Sequence, residues 1–217
     1  MKSNAKSHSV TAAPPSEATA RRIVAAATRL FAELGYDGAS TKQICAAANA
    51  NIAAIHYHFG SKEKLYLDIL SRFASTRLEN TRRTLQKPRN VDDLRVRLEL
   101  FLTETFTSFV EQHEIMAMVQ REVESGRSRG AESFIKSMVE HADVLVLFFN
   151  QAQKSGFLAV ELDSRLAALG LFGQIVHQMK APSQIRKAIG IAVHDEKYRA
   201  RWVQHALWLF LNGALKR

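Results

Sequence analysis

Residues 40–59 read STKQICAAANANIAAIHYHF. The stretch divides into a helix, a tight turn and a second helix. Ser40 is placed to cap the first helix, and Gln43, three residues on, can reach back as in a capping box. Thr41 to Ala48 has high helix propensity, with Ile44, Cys45 and Ala48 on one face. Asn49-Ala50-Asn51 is the break, because asparagine tolerates the left-handed backbone that ends a helix and Asn51 can cap the next one. On a wheel of Ile52 to Phe59, Ile52, Ile55 and Phe59 group inward, and Ala53, Ala54, Tyr57 and His58 point away, with His56 at the boundary. Two short helices joined in this way form a helix-turn-helix, whose second helix can lie in the DNA major groove.

Upstream, Glu17 to about Leu34 carries Ile23, Ala26, Ala27, Leu30, Phe31 and Leu34 at three- and four-residue spacing, and Gly35 closes that helix. Downstream, Gly60 ends the second helix of the motif. Ser61 caps a further helix through Leu65, Ile69, Leu70 and Phe73, reaching about Leu85. Met1 to Pro15 is polar and proline-terminated, and reads as a disordered basic tail.

The segment from about Thr19 to Leu70 resembles the DNA-binding domain of the TetR family of bacterial transcriptional regulators. The resemblance is carried by Gly35-Tyr36, Ser40-Thr41, Ile44, IHYHF at 55–59 and SKEKL at 61–65, and spans roughly a quarter of the chain. It implies DNA contacts from Thr41, Lys42, Ala53, Ala54, His56, Tyr57, His58 and Lys62. Ala53 and Ala54 can touch a thymine methyl but cannot hydrogen-bond a base edge, whereas Tyr57 and His58 can donate to phosphates. Lys62 adds a mobile positive charge. Three departures stand out: Ile52 where the family often has a polar residue, His56 for its usual tyrosine, and Asn49 for the usual glycine of the turn. Readout from 52–59 is therefore poor in hydrogen-bonding groups, which shifts weight to Lys42, to Gln43 or to DNA shape. His56 packed at the domain edge is an equally simple reading.

Charge segregates with the motif. Of 30 Lys+Arg and 21 Asp+Glu, residues 1–87 hold 13 and 6. The basic excess therefore lies mostly in the part that would meet phosphate. The single Cys45 excludes an internal disulfide and reads as a small buried hydrophobe. His56 and His58, two apart on a helix, face different ways, and no metal-ligand motif occurs, so no metal or cofactor is expected. No nucleophile–base pair or phosphate loop argues for an enzyme. With no signal peptide and no apolar run long enough for a membrane span, a cytoplasmic protein without membrane association is expected.

Beyond a break at Pro88-Arg89-Asn90, helical patterning continues to the end, predicting an all-α chain. The expected organisation is a tail at 1–15, a three-helix DNA-binding domain at 16–62, a linking helix at 63–87 and a helical domain at 88–217. Helices are predicted over Val91 to about Gln112, Ile115 to Ser125, Ala131 to about Lys154, Asp163 to Met179, Ser183 to Ile189 and Asp195 to Leu215, with a loop at Gly126 to Gly130.

The resemblance implies that this larger domain dimerises and binds a small-molecule effector. Aromatic and sulfur-containing side chains with a few polar anchors supply the candidate pocket: Phe101, Thr105, Phe106, Phe109, Met116, Arg121, Phe134, Met138, Phe148, Phe149 and His177. Each apolar one also reads as ordinary core. Arg121 pointing inward would meet an anionic group; otherwise it pairs with Glu122 or Glu124 or faces solvent. Small residues in 163–179 and apolar residues on several faces of 195–215 make Leu166, Gly170, Gly173, Val176, Trp202, Ala206, Leu209 and Phe210 the candidate dimer interface, with Trp208 on a different face. The implied function is a ligand-responsive regulator, a repressor released from a palindromic operator. The alternative is a helical ligand-binding or protein-interaction dimer without specific DNA binding.

Overall fold

The computed structural model describes residues 16–125, 128–180, 187, 190 and 192–215. Side chains are described for these except at 123, 125, 128–135, 138, 179, 180 and 214. The tail at 1–15, most of the helix expected at 183–189 and the Phe134 and Met138 side chains lie outside that set. The described elements are α-helical: α1 (Glu17–Gly38), α2 (Thr41–Ala48), α3 (Ile52–Phe59), α4 (Lys62–Thr84), α5 (Val91–Glu111), α6 (His113–Ser125), α7 (Ser128–Lys154), α8 (Ser164–Lys180) and α9 (Glu196–Ala214). Among the described residues the sole β feature is an isolated bridge between Leu158 and Leu215. The chain folds as two compact units that divide between Tyr66 and Leu67, within α4.

Caps set the helix boundaries. Ser40 Oγ accepts from the Gln43 N–H at 3.1 Å and Gln43 Oε1 accepts from the Ser40 N–H at 2.8 Å, the reciprocal box the sequence predicts. Asn49 takes φ 46° and ψ 55°, and Asn51 Oδ1 accepts from the Ala54 N–H at 2.8 Å. Asn90, Asp163 and Asp195 cap α5, α8 and α9 through the same kind of side-chain acceptor. Gly35, at φ 74°, interrupts α1 as a left-handed helix stop should, although a last turn follows it to Gly38. Of the loop expected at 126–130, residues 128–130 belong to α7, which begins at Ser128.

In the first unit Ile23, Ala27, Phe31, Ile44, Ile55 and Leu65 are fully buried, with Cys45 and Ala48 beside them. Tyr66 meets Phe31 edge-on at 5.0 Å and Tyr36 at 5.2 Å, fixing the start of α4 against the end of α1. Arg22 Nε–H donates to the Ala48 carbonyl at 3.0 Å, satisfying the exposed end of α2.

In the second unit α5 supplies the centre. Its Leu94, Leu98, Phe101, Leu102, Thr105 and Phe106 are buried, and α8 and α9 pack against it. Phe106 meets Trp202 of α9 edge-on at 5.0 Å, and Phe149 of α7 stacks on Phe210 of α9 at 5.1 Å. No helix among the described residues is long and apolar enough to cross a membrane.

Candidate nucleic-acid interface and ligand pocket

The structure turns α3 by about one position from the expected wheel. Ala54 is 2 % exposed and therefore faces the core, not outward. His58, one turn on, is half-buried; its ring lies edge-on to Tyr57 at 5.0 Å and its Nε2 is buried without a hydrogen-bond partner. Ile52, expected inward, is 48 % exposed. The cause is packing against α1 and α2: only alanine's small side chain lets the backbones close up there, and Ile55 and Ala54 then define the inner face. The open face of α3 is Ile52, Ala53, His56 and Tyr57. Lys42 and Gln43 are exposed at the start of α2, with Thr41 half-buried beside them.

Two basic side chains are less free than the sequence suggests. Lys62 Nζ–H donates to the carbonyls of Tyr36 and Ala39 at 2.9 and 3.0 Å and lies 4.2 Å from the centre of the Tyr36 ring. It is a clamp between α4 and the end of α1, not a mobile charge. His56 bonds through Nδ1 to the Gly60 carbonyl at 2.8 Å, which ties the end of α3 while leaving the ring exposed.

In the larger unit one small cavity, of about 30 Å³, is lined by Phe73, Ala74 and Arg77 of α4, Phe101 and Phe109 of α5, Ser137 and His141 of α7 and Phe172 of α8. Of the expected pocket residues with described side chains, Phe101 and Phe109 line it. Thr105 is buried behind it and accepts from Arg77 Nη2–H at 2.7 Å. Phe106, Phe148 and Phe149 are fully buried in the core, and Met116 packs against that core. Arg121 and His177 are exposed, so neither is an inward anchor.

The polar residues of the cavity are ones the sequence reading missed. Arg77 is 7 % exposed, and burial lowers its pKa while nearby Glu104 opposes the shift. His141 Nδ1–H donates to the Ser137 carbonyl at 2.7 Å. Burial lowers its pKa most, the Arg77 charge adds to this, and the Ser137 carbonyl opposes it. The signal was present: Arg77 follows Leu70, Phe73 and Ala74 at apolar-stripe spacing, and His141 precedes Leu145 and Phe148 in the same way.

Residues 23–69 match the family described as bacterial regulatory proteins, tetR family. The N-terminal domain belongs to the TetR family. Over 89 residues the chain is 38% identical to the transcriptional repressor AcnR of Corynebacterium efficiens, which covers 37% of this chain and 47% of that protein. Over 51 residues it is 51% identical to the dual regulator CecR of Shigella flexneri, covering 24% of this chain and 22% of that one. The chain thus spans about half the length, or less, of the curated relatives it matches. Across the whole fold it is similar to the regulator FadR of Bacillus subtilis, solved with stearoyl-CoA, at a TM-score of 0.70 and 18% identity over 89% of this chain and 98% of that one. The ketosteroid regulator KstR2 of Mycobacterium tuberculosis gives a TM-score of 0.68 at 18% identity over 91% and 96%. The fold is therefore TetR-like.

On this TetR-like frame the expected interface residues separate into two groups. Ala206 is buried, Trp202 and Phe210 pack on Phe106 and Phe149, and Val176 packs on the same core. Ala206 is thereby corrected out of the free surface; Trp202, Val176 and Phe210 are half-buried with one side in the core, and Phe210 also lines a groove beside α8. Leu166, Gly170, Gly173 and Leu209 are exposed, and Leu169 and Trp208 join them at 61 and 58 % exposure. Leu166, Leu169, Gly170 and Gly173 form one stripe of α8, and Leu209 and Gly213 form one of α9, with exposed Trp208 about 100° round the helix from Leu209.

Proposed function

We propose that this protein is a ligand-responsive, DNA-binding transcriptional regulator, a repressor that leaves a palindromic operator when a small molecule binds its larger unit. The observation that carries the reading is the family match at 23–69 on a folded helix-turn-helix whose second helix keeps Ile52, Ala53, His56 and Tyr57 open to solvent. Ile52 and Ala53 are suited to thymine methyl groups, Tyr57 to a phosphate, and Lys42 to a base edge or phosphate at the start of α2. Thr41, His56 and His58 act at the margins of that face. Ala54 and Lys62 act from behind it, as packing and clamp.

The stripes of α8 and α9 favour a homodimer. Between them runs an apolar groove of about 350 Å³ lined in part by Gly170, Leu171, Leu209 and Gly213. A two-fold dimer presents two recognition helices to two half-sites. Effector binding in the larger unit would bias α4, which runs into the DNA-binding unit, and so alter the separation of those helices. Structural neighbours solved as regulators, one with an acyl-CoA bound, support an apolar or amphipathic effector.

Selection of genomic fragments by the purified chain tests the reading, followed by titration of the recovered site at moderate salt. The expected result is a palindrome bound at least ~10³-fold tighter than unrelated DNA, with Tyr57→Ala weakening it about tenfold. Weak retention without sequence preference at any salt would instead support a ligand-binding or protein-interaction dimer.

A further inference from the structure

We propose that Arg77 is the receptor for an anionic effector head group, and that the pocket takes an organic carboxylate whose apolar body lies among Phe73, Phe101, Phe109 and Phe172. The inference rests on the ligand-responsive reading above and names the chemistry of its effector.

Arg77 is a buried charge with no ion-pair partner among the described residues. Its Nη1–H donates to the Glu104 carbonyl at 3.2 Å and its Nη2–H to Thr105 Oγ1 at 2.7 Å, both uncharged oxygens. Asp68 and Asp93 pair with Arg72, Arg89 and Arg97, not with Arg77. The Glu104 carboxylate is near enough to favour the guanidinium electrostatically, but its Oε2 accepts from the Thr84 hydroxyl at 3.2 Å. A guanidinium has five N–H donors, so capacity remains for an incoming acceptor. An unpaired buried charge is costly, and a matching anion removes much of that cost.

The surroundings define the rest of the ligand. The cavity has room for about two water-sized groups, comparable with the two oxygens of a carboxylate. Its other walls are mainly phenylalanine, with Phe109 5.9 Å from the guanidinium carbon. An apolar body must part these rings to enter. His141 lines the same cavity, and its Nε2 is buried without a completed hydrogen bond. A planar fork in an aromatic wall suits a carboxylate better than a spherical anion.

The test is thermal unfolding and calorimetric titration of the full chain with octanoate, benzoate and phenylacetate, each against its neutral partner: octan-1-ol, benzamide and phenylacetamide. At least one carboxylate is expected to raise the midpoint by several degrees at millimolar concentration while its neutral partner does not. Arg77→Met should abolish that preference, and Arg77→Lys, which keeps the charge but loses the fork, should weaken carboxylate binding about tenfold. The proposal is overturned if no carboxylate binds, if neutral partners bind equally, or if the preference survives in Arg77→Met. Should Arg77→Met not fold, undiminished carboxylate binding by Arg77→Lys overturns it. Operator binding read in the same samples separates the two claims. A carboxylate held by Arg77 that leaves operator affinity unchanged removes the effector reading but not the site. Operator release by a neutral compound alone removes the site but not the regulator.

Discussion

Lys62 illustrates how a basic residue near DNA can serve the fold first. Its ammonium satisfies two carbonyls at the end of α1 and sits over Tyr36. Lys62→Met should therefore destabilise the N-terminal unit by about 1–3 kcal/mol, the range for losing charge-assisted hydrogen bonds and a cation–π contact. Urea unfolding followed by helical signal measures it; an unchanged midpoint would return Lys62 to the phosphate-binding role. Tyr57 is the converse case. At 65 % exposure it contributes little to packing, so Tyr57→Ala should move stability by less than about 0.5 kcal/mol while operator affinity falls. His141 adds a pH dependence. Its folded pKa is lowered from 6.5, so the unfolded chain takes up the proton first as pH falls. Stability is fully present above about pH 6.5 and declines as pH drops through the window below it. Midpoints measured from pH 8 to 5 should fall less steeply for His141→Gln than for the native chain.

At the scale of single elements, the turn between α2 and α3 rests on Asn49 in the left-handed region. Asn49→Gly should be neutral or slightly stabilising and Asn49→Ala should cost about 1 kcal/mol, because alanine carries a Cβ into that backbone without asparagine's local hydrogen bonding. Equal stability of the two variants would contradict this. The turn was legible from sequence because caps act locally: Ser40, Gln43, Asn49 and Asn51 interact with atoms at most four residues away. The facing of α3 was not. The helix is eight residues long, barely two turns, so hydrophobicity assigns its inner face poorly. Isoleucine at 52 argued for burial and alanine at 54 for exposure, whereas close approach to α1 and α2 reverses both. The lining of the cavity was not legible for a similar reason. Phenylalanine pattern marks a buried face, not which rings border a void, so Phe106, Phe148 and Phe149 went to the core. Arg77 and His141, the basic residues within apolar stripes, were the better guide.

For the molecule as a whole, the glycines of the exposed α8 and α9 stripes bear on the proposed dimer. A Cβ built on Gly170, Gly173 or Gly213 meets nothing within 4 Å in the protomer. Glycine inside a helix costs roughly 0.5–1 kcal/mol relative to alanine, so the isolated protomer has no packing reason to carry three. The proposed second copy, seated on Leu166, Leu169, Trp208 and Leu209, would supply one, since helices cross most closely where no side chain intervenes. The paired substitution Gly170→Ala/Gly173→Ala therefore has opposite expected effects on the two states. Measured in dilute protein, where the protomer dominates, the midpoint should rise; by sedimentation, the dimer dissociation constant should weaken tenfold or more. Leu169→Glu or Trp208→Glu should give well-folded monomers, because both side chains are more than half exposed. Operator affinity should fall with dimerisation in all three variants, since each monomer can occupy only one half-site. A dimer unaffected by both the glycine and the glutamate variants would exclude this face, and with it the two-fold arrangement that pairs the recognition helices.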